Sequence, residues 1–71
     1  MIVLFTDFGN VDPYIGQVRN VLAKQSASVT VIDLFNHAPK FDPVASAYLL
    51  AAYVDEFPRE TVFLGIVDPG V

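Results

Sequence analysis

Two aspartates, Asp7 and Asp68, each directly follow an expected strand, and each is followed two positions later by glycine. A carboxylate held at such a point has acceptor sites for a pair of neighbouring hydroxyls and an attractive field for a cation. Aromatic residues stand close by in sequence, Phe8 next to Asp7 and Phe41 in a separate loop. No lysine sits in a glycine-rich loop of the kind that cradles phosphates. A neutral or cationic ligand bearing hydroxyls therefore suits these residues best. Other polar residues have simpler readings. Asp12 and Asp42 precede prolines at expected helix starts and read as caps, Asp33 as a paired structural acid, His37 as a surface histidine, and Tyr48 and Tyr53 as helix packing.

The elements that must position these groups are legible in the hydrophobic pattern. Ile2-Val3-Leu4-Phe5 reads as a strand buried on both faces. Asp12-Pro13 opens a helix in which Tyr14, Val18, Val21 and Leu22 share a face. Val29-Thr30-Val31-Ile32-Asp33-Leu34 is rich in β-branched residues and reads as a second strand. A helix over 44–56 is apolar nearly all round and is expected to lie under other structure, and Pro58 stops it. A third strand spans 61–67 and leaves through the Asp68-Pro69-Gly70 turn. The order β-α-β-α-β predicts an α/β fold, a portion of a parallel, doubly wound, Rossmann-like sheet. In such sheets ligands bind at the carboxyl ends of the strands, which is where Asp7, Phe8, Phe41 and Asp68 fall.

Composition narrows the function further. The chain has 71 residues, 54% hydrophobic and 17% charged, with no cysteine and a net charge of -4. A chain of that size buries only about 60% of its unfolded surface, and three strands with two helices cannot cover both sheet faces. Residues beyond Val71 are therefore expected. Without a basic patch, nucleic acid is an unsuitable partner. The longest apolar stretch, 44–54, is broken by Ser46 and too short to span a bilayer, and no basic segment precedes the first strand. No membrane association and a cytoplasmic location are expected.

Thr6-Asp7-Phe8-Gly9, Asp12-Pro13-Tyr14-Ile15-Gly16-Gln17, Pro39-Lys40-Phe41-Asp42 and Val67-Asp68-Pro69-Gly70-Val71, in that order, resemble the N-terminal part of the S-adenosylmethionine hydroxide adenosyltransferases, relatives of fluorinating and chlorinating enzymes. The resemblance implies that residues 1–71 are part of an N-terminal α/β domain, that a β-rich C-terminal domain lies outside this chain, and that the full-length protein is a homotrimer. It also implies hydrolysis of S-adenosylmethionine to adenosine and methionine by attack of water or hydroxide at C5′, with no cofactor and no metal. Asp7 then accepts from the ribose diol, Phe8 and Phe41 contact the substrate, and Asp68 positions or activates the water. At Asp68 the halogenating relatives lack the aspartate, whose charge would repel a halide. Phe35-Asn36-His37 stands where the family often has Thr-His-Glu, and the family's catalytic arginine and histidine should lie beyond Val71, so the fragment alone is expected to be inactive.

Two other functions compete. A phospho-receiver module also places acids after strands one and three and uses Mg²⁺, but it leaves Phe8, Phe41 and the Asp-Pro-Tyr-Ile-Gly string unexplained. A non-catalytic nucleoside-binding domain fits a degenerate relative.

Overall fold

The first apolar run becomes the central strand, β1 (Ile2–Thr6), in a computed structural model that describes residues 1–10 and 13–70. It is followed by α1 (Tyr14–Gln25), β2 (Val31–Phe35), α2 (Pro43–Ala51), a single 3-10 turn at Val54–Glu56, and β3 (Val62–Ile66). The sheet is parallel with strand order β2-β1-β3. Burial explains why β1 is so apolar. Val3, Leu4 and Thr6 have no exposed surface and Phe5 almost none, because neighbours flank them on both edges and on both faces. Replacing Phe5 by alanine would cost about 3–5 kcal/mol, a large share of the stability of a small domain.

The helices lie on opposite faces of this sheet, and the side chains show it. On one face, Arg19 of α1 donates to Asp33 Oδ1 at 2.9 Å, and Asp33 lies beside Leu4. On the other, the Tyr53 ring just after α2 meets Phe35 edge-on at 5.5 Å, and Phe35 meets Phe5 at the same distance. Phe57 and Phe63 form a third such pair at 5.5 Å, with Phe63 beside Val3 on the face of Phe5. A register shift between Leu4 and Phe5 makes this possible: Leu4 pairs with Asp33 but Phe5 with Phe35. Residues two apart on β2 thereby face opposite sides. Asp33 is paired as expected of a structural acid, but it is not buried. Its side chain and that of Arg19 are 41% and 45% exposed, so the pair contributes at most about 1 kcal/mol.

Several boundaries differ from the sequence expectation. β2 begins at Val31, because Ser26 to Val29 closes a turn through Val29 N to Ser26 O at 3.0 Å. α2 ends at Ala51, and the residues to Glu56 tighten into the 3-10 turn instead of continuing the helix. Asp42 caps α2 as expected, its Oδ1 accepting from Ala45 N at 3.0 Å with Pro43 in the first helical position. The matching role of Asp12 at α1 falls outside the described residues. The inward face of α1 is Ile15, Val18 and Leu22, all half-buried, while Tyr14 and Val21 are 53% and 56% exposed. α2 is not covered on its outer face in this chain, where Val44 and Tyr48 are 67% and 77% exposed. Of the two tyrosines expected to pack, only Tyr53 does so. Among the described residues, no helix is long and apolar enough to cross a membrane.

Candidate functional site

The chain runs outward from β1 to β2 and then back across β1 to β3, so the strand order reverses at β1. At such a reversal the connections leave neighbouring strands in different directions and a crevice opens at their carboxyl ends. A cleft of about 290 Å³ lies there, lined by Asp7, Phe8, Tyr14, Lys40, Phe41, Ile66, Val67 and Asp68. Its volume is near the lower end for small-molecule sites. All four residues singled out in the sequence, Asp7, Phe8, Phe41 and Asp68, line this one cleft.

Asp7 forms its floor. The residue is 7% exposed, its backbone N–H extends the ladder to Ile66 O at 3.2 Å, and its Oδ2 accepts from Asp68 N at 2.9 Å. A buried carboxylate oriented by a backbone donor has lone pairs left for a ligand's hydroxyls. Asp68 is exposed, and its Oδ1 accepts from Gly70 N at 2.8 Å, closing the turn after β3. Among the described residues its Oδ2 has no protein donor. One side chain therefore both shapes the turn and presents an acceptor to the cleft.

The aromatic walls are held by geometry that the sequence does not announce. Phe8 stacks edge-on against Tyr14 at 5.8 Å, which draws Tyr14 out of the helix packing face and into the site. Phe41 has φ 59, in the left-handed region, and is 60% exposed. A strained backbone at a ligand-facing residue costs about 1–3 kcal/mol and persists only where the surroundings enforce it. Here Gly70 does so. With φ 81, its missing Cβ would lie 2.9 Å from Phe41 Cβ, so glycine is required both by conformation and by contact. Ser46, buried, donates from Oγ to Pro39 O at 3.1 Å and holds the start of the same loop.

Asn36 and His37 lie beside the cleft without lining it. Asn10 Nδ2 donates to His37 Nε2 at 3.2 Å, Asn36 Nδ2 donates to Asn10 Oδ1, and Gly9 N donates to Asn36 O at 2.6 Å. Together they tie the loop after β1 to the loop after β2. His37 is thus a paired surface histidine. Tyr14 and Lys40 are the cleft residues that sequence reasoning passed over. Tyr14 was absorbed into a helical stripe, and Lys40 stood only inside a motif string. Among the described residues, no three acids, histidines or cysteines converge as a metal-binding group.

The chain is an α/β, Rossmann-like portion of a parallel sheet, with a carboxylate-floored, aromatic-walled cleft at its order reversal, where such sheets bind small ligands. More particularly, the chain belongs to the family of SAM hydroxide adenosyltransferase N-terminal domains, whose pattern matches residues 2–71. It is 37% identical over 70 residues to an (R)-S-adenosyl-L-methionine hydrolase of Thermus thermophilus, covering 99% of this chain and 28% of that protein. A protein of the same name from Salinispora tropica is 36% identical over 66 residues, covering 93% of this chain and 25% of its own length. The fold matches a crystal structure of an uncharacterized conserved protein from Thermotoga maritima with a TM-score of 0.91 and 32% identity, over 100% of this chain and 27% of that one. The chain thus spans about a quarter of the length of these relatives. Family membership decides against the phospho-receiver reading.

Proposed function

We propose that the full-length protein hydrolyses S-adenosylmethionine to adenosine and methionine, and that residues 1–71 supply the nucleoside-binding part of its active site. The observation that supports this most is the convergence of Asp7 and Asp68, far apart in sequence, on one cleft walled by Phe8 and Phe41. Asp7 accepts from the two ribose hydroxyls. Phe41 lays an apolar face near the sulfonium, a cation–π contact worth about 0.5–2 kcal/mol. A water oxygen attacks C5′, the C5′–S bond breaks with its electron pair going to sulfur, and methionine leaves as a neutral thioether. The proton lost by the water passes to Asp68 Oδ2 or through it to solvent. A neutral leaving group needs no metal to stabilise it, so no cofactor is assigned. A β-rich second domain, a trimeric assembly, a cytoplasmic location and an arginine and histidine beyond Val71 complete this proposal.

The test uses the full-length protein with each sulfur epimer of S-adenosylmethionine in EDTA, since the relatives' names specify the R form. Chromatography should show adenosine and methionine in equal amounts, and unchanged substrate at high enzyme concentration overturns the reading. A second reading, nucleoside binding without turnover, is favoured by the Asp68 Oδ1 bond to Gly70 N, which occupies half of that carboxylate in a turn.

A further inference from the structure

The buried residue of α2 is a serine. Ser46 is only 3% exposed, in a helix whose other residues are apolar or tyrosine. Alanine would suit the helix better, and a buried hydroxyl is costly unless it is bonded. A serine inside a helix has the carbonyl four residues back within reach of its hydroxyl. Here that carbonyl, of Asp42, accepts the Ser46 backbone N–H at 3.0 Å, while the hydroxyl reaches past it and donates to Pro39 O at 3.1 Å. Among the described residues this is the one hydrogen bond that joins the backbone of Pro39, Lys40 and Phe41 to the rest of the protein.

That segment forms a wall of the cleft through Lys40 and Phe41, and Phe41 stands there with a left-handed backbone, φ 59. Such a conformation persists only while its surroundings enforce it. Upstream the segment leaves buried Ala38, whose N–H donates to Thr6 O at 2.9 Å, and downstream it enters the Asp42 cap. Gly70 limits where the Phe41 ring can go, and the Ser46 hydroxyl adds a directional hold on the backbone that carries it. We propose that Ser46 is a positioning residue for the cleft: through Pro39 O, its hydroxyl sets the place from which Phe41 meets the nucleoside. Ser46 itself does not line the cleft. This rests on the nucleoside-binding reading above and makes the seating of its aromatic wall depend on one buried side chain of α2.

The experiment compares the full-length protein with its Ser46→Ala, Phe41→Ala and doubly substituted variants. Alanine preserves the helix, so Ser46→Ala should fold. Its adenosine Kd by calorimetry should rise about three- to tenfold, the scale of one neutral hydrogen bond. KM should rise with it while kcat stays within about twofold, because the groups assigned to the attacking water are untouched. In the Phe41→Ala background the same change should alter Kd by less than about twofold, since the residue it positions is gone. Trypsin gives a reading that needs no ligand. Lys40 and Arg59 are both exposed, and in Ser46→Ala cleavage after Lys40 should quicken while cleavage after Arg59, in a separate loop, should not. A Kd equal to the parent's, an effect that persists in full without Phe41, a fall in kcat at unchanged KM, or cleavage after Lys40 that is unchanged or quickened equally at Arg59 overturns the role of Ser46 and leaves the nucleoside reading standing. A parent that binds no adenosine overturns that reading, and cleavage after Lys40 then decides the positioning role by itself.

Discussion

β1 has a neighbour on each edge, and the carboxyl ends of the two pairings are built in opposite ways. Towards β2 the loops are zipped together by Gly9 N to Asn36 O and by the side chains of Asn10, Asn36 and His37. Towards β3 the ties are from Asp7 N to Ile66 O and from Asp68 N to the Asp7 carboxylate, and a cleft opens above them. The difference follows from connectivity. β1 and β2 are joined by a single crossover, whereas the chain reaches β3 only after passing back across β1, so the loops flanking the β1–β3 boundary part company. Polar side chains on the closed edge satisfy one another, and those on the open edge keep unused acceptors and donors. Polar residues at strand ends thus divide into fasteners and proposed ligand contacts according to which edge they occupy.

The sharpest way to break that division is at Asp68, assigned to the open edge. In the full-length protein Asp68→Asn should lower kcat by about 10²–10⁴-fold with little change in substrate affinity, because the role proposed for the lost group is that of the water's proton acceptor. Asparagine is at home in turns and keeps the bond to Gly70 N. Single-turnover rates within about threefold of the parent would move Asp68 to the fasteners.

Asp7 tests the floor of the same edge. Asp7→Ala should weaken adenosine binding about ten- to a hundredfold, since a charge-assisted contact is worth roughly 1.5–3 kcal/mol. It also leaves Asp68 N without its acceptor, so melting should be measured in parallel. Unaltered adenosine binding by calorimetry would remove Asp7 from the ligand contacts.

Gly70→Ala sharpens the comparison without removing a polar group. A Cβ there meets Phe41 and strains a left-handed backbone, at about 1–2 kcal/mol for the conformation alone. Adenosine affinity should fall by up to about tenfold as Phe41 is displaced. An intact affinity would mean that the seat of Phe41 does not matter to the ligand.

The smallest effect is expected on the closed edge. Asn10→Ala removes two exposed hydrogen bonds and should cost about 1 kcal/mol in stability by urea unfolding, with kcat unchanged. A fall in kcat as large as that of Asp68→Asn would erase the distinction between the edges.

Much of this organisation is readable in the chain. Ile2 to Thr6 are apolar or small because they pair on both edges, and Asp42-Pro43 carries its own cap. The cleft lining was legible where it coincides with strand ends, as at Asp7 and Asp68. It was illegible where a side chain's environment depends on the neighbouring loop. Tyr14 has helical spacing to Val18 and Val21, but its ring goes to Phe8 and the cleft, while Val21 stays exposed. Asp33 sits in regular register beside Leu4 and meets Arg19 there, while the register shift after it turns Phe35 to the opposite face.

The sequence by itself determined the element types, their order, the Asp42 cap and the presence of acids and aromatics at the carboxyl ends of the strands, because periodicity, β-branching and capping act over a few neighbouring residues. Only the tertiary structure decided which strand ends become a cleft, why Phe41 holds a left-handed backbone against Gly70, and that Lys40 and Tyr14 share the lining with Asp7 and Asp68. Those features depend on which strands pair and how the loops meet, and pairing between residues 61 positions apart leaves no periodic trace in the chain.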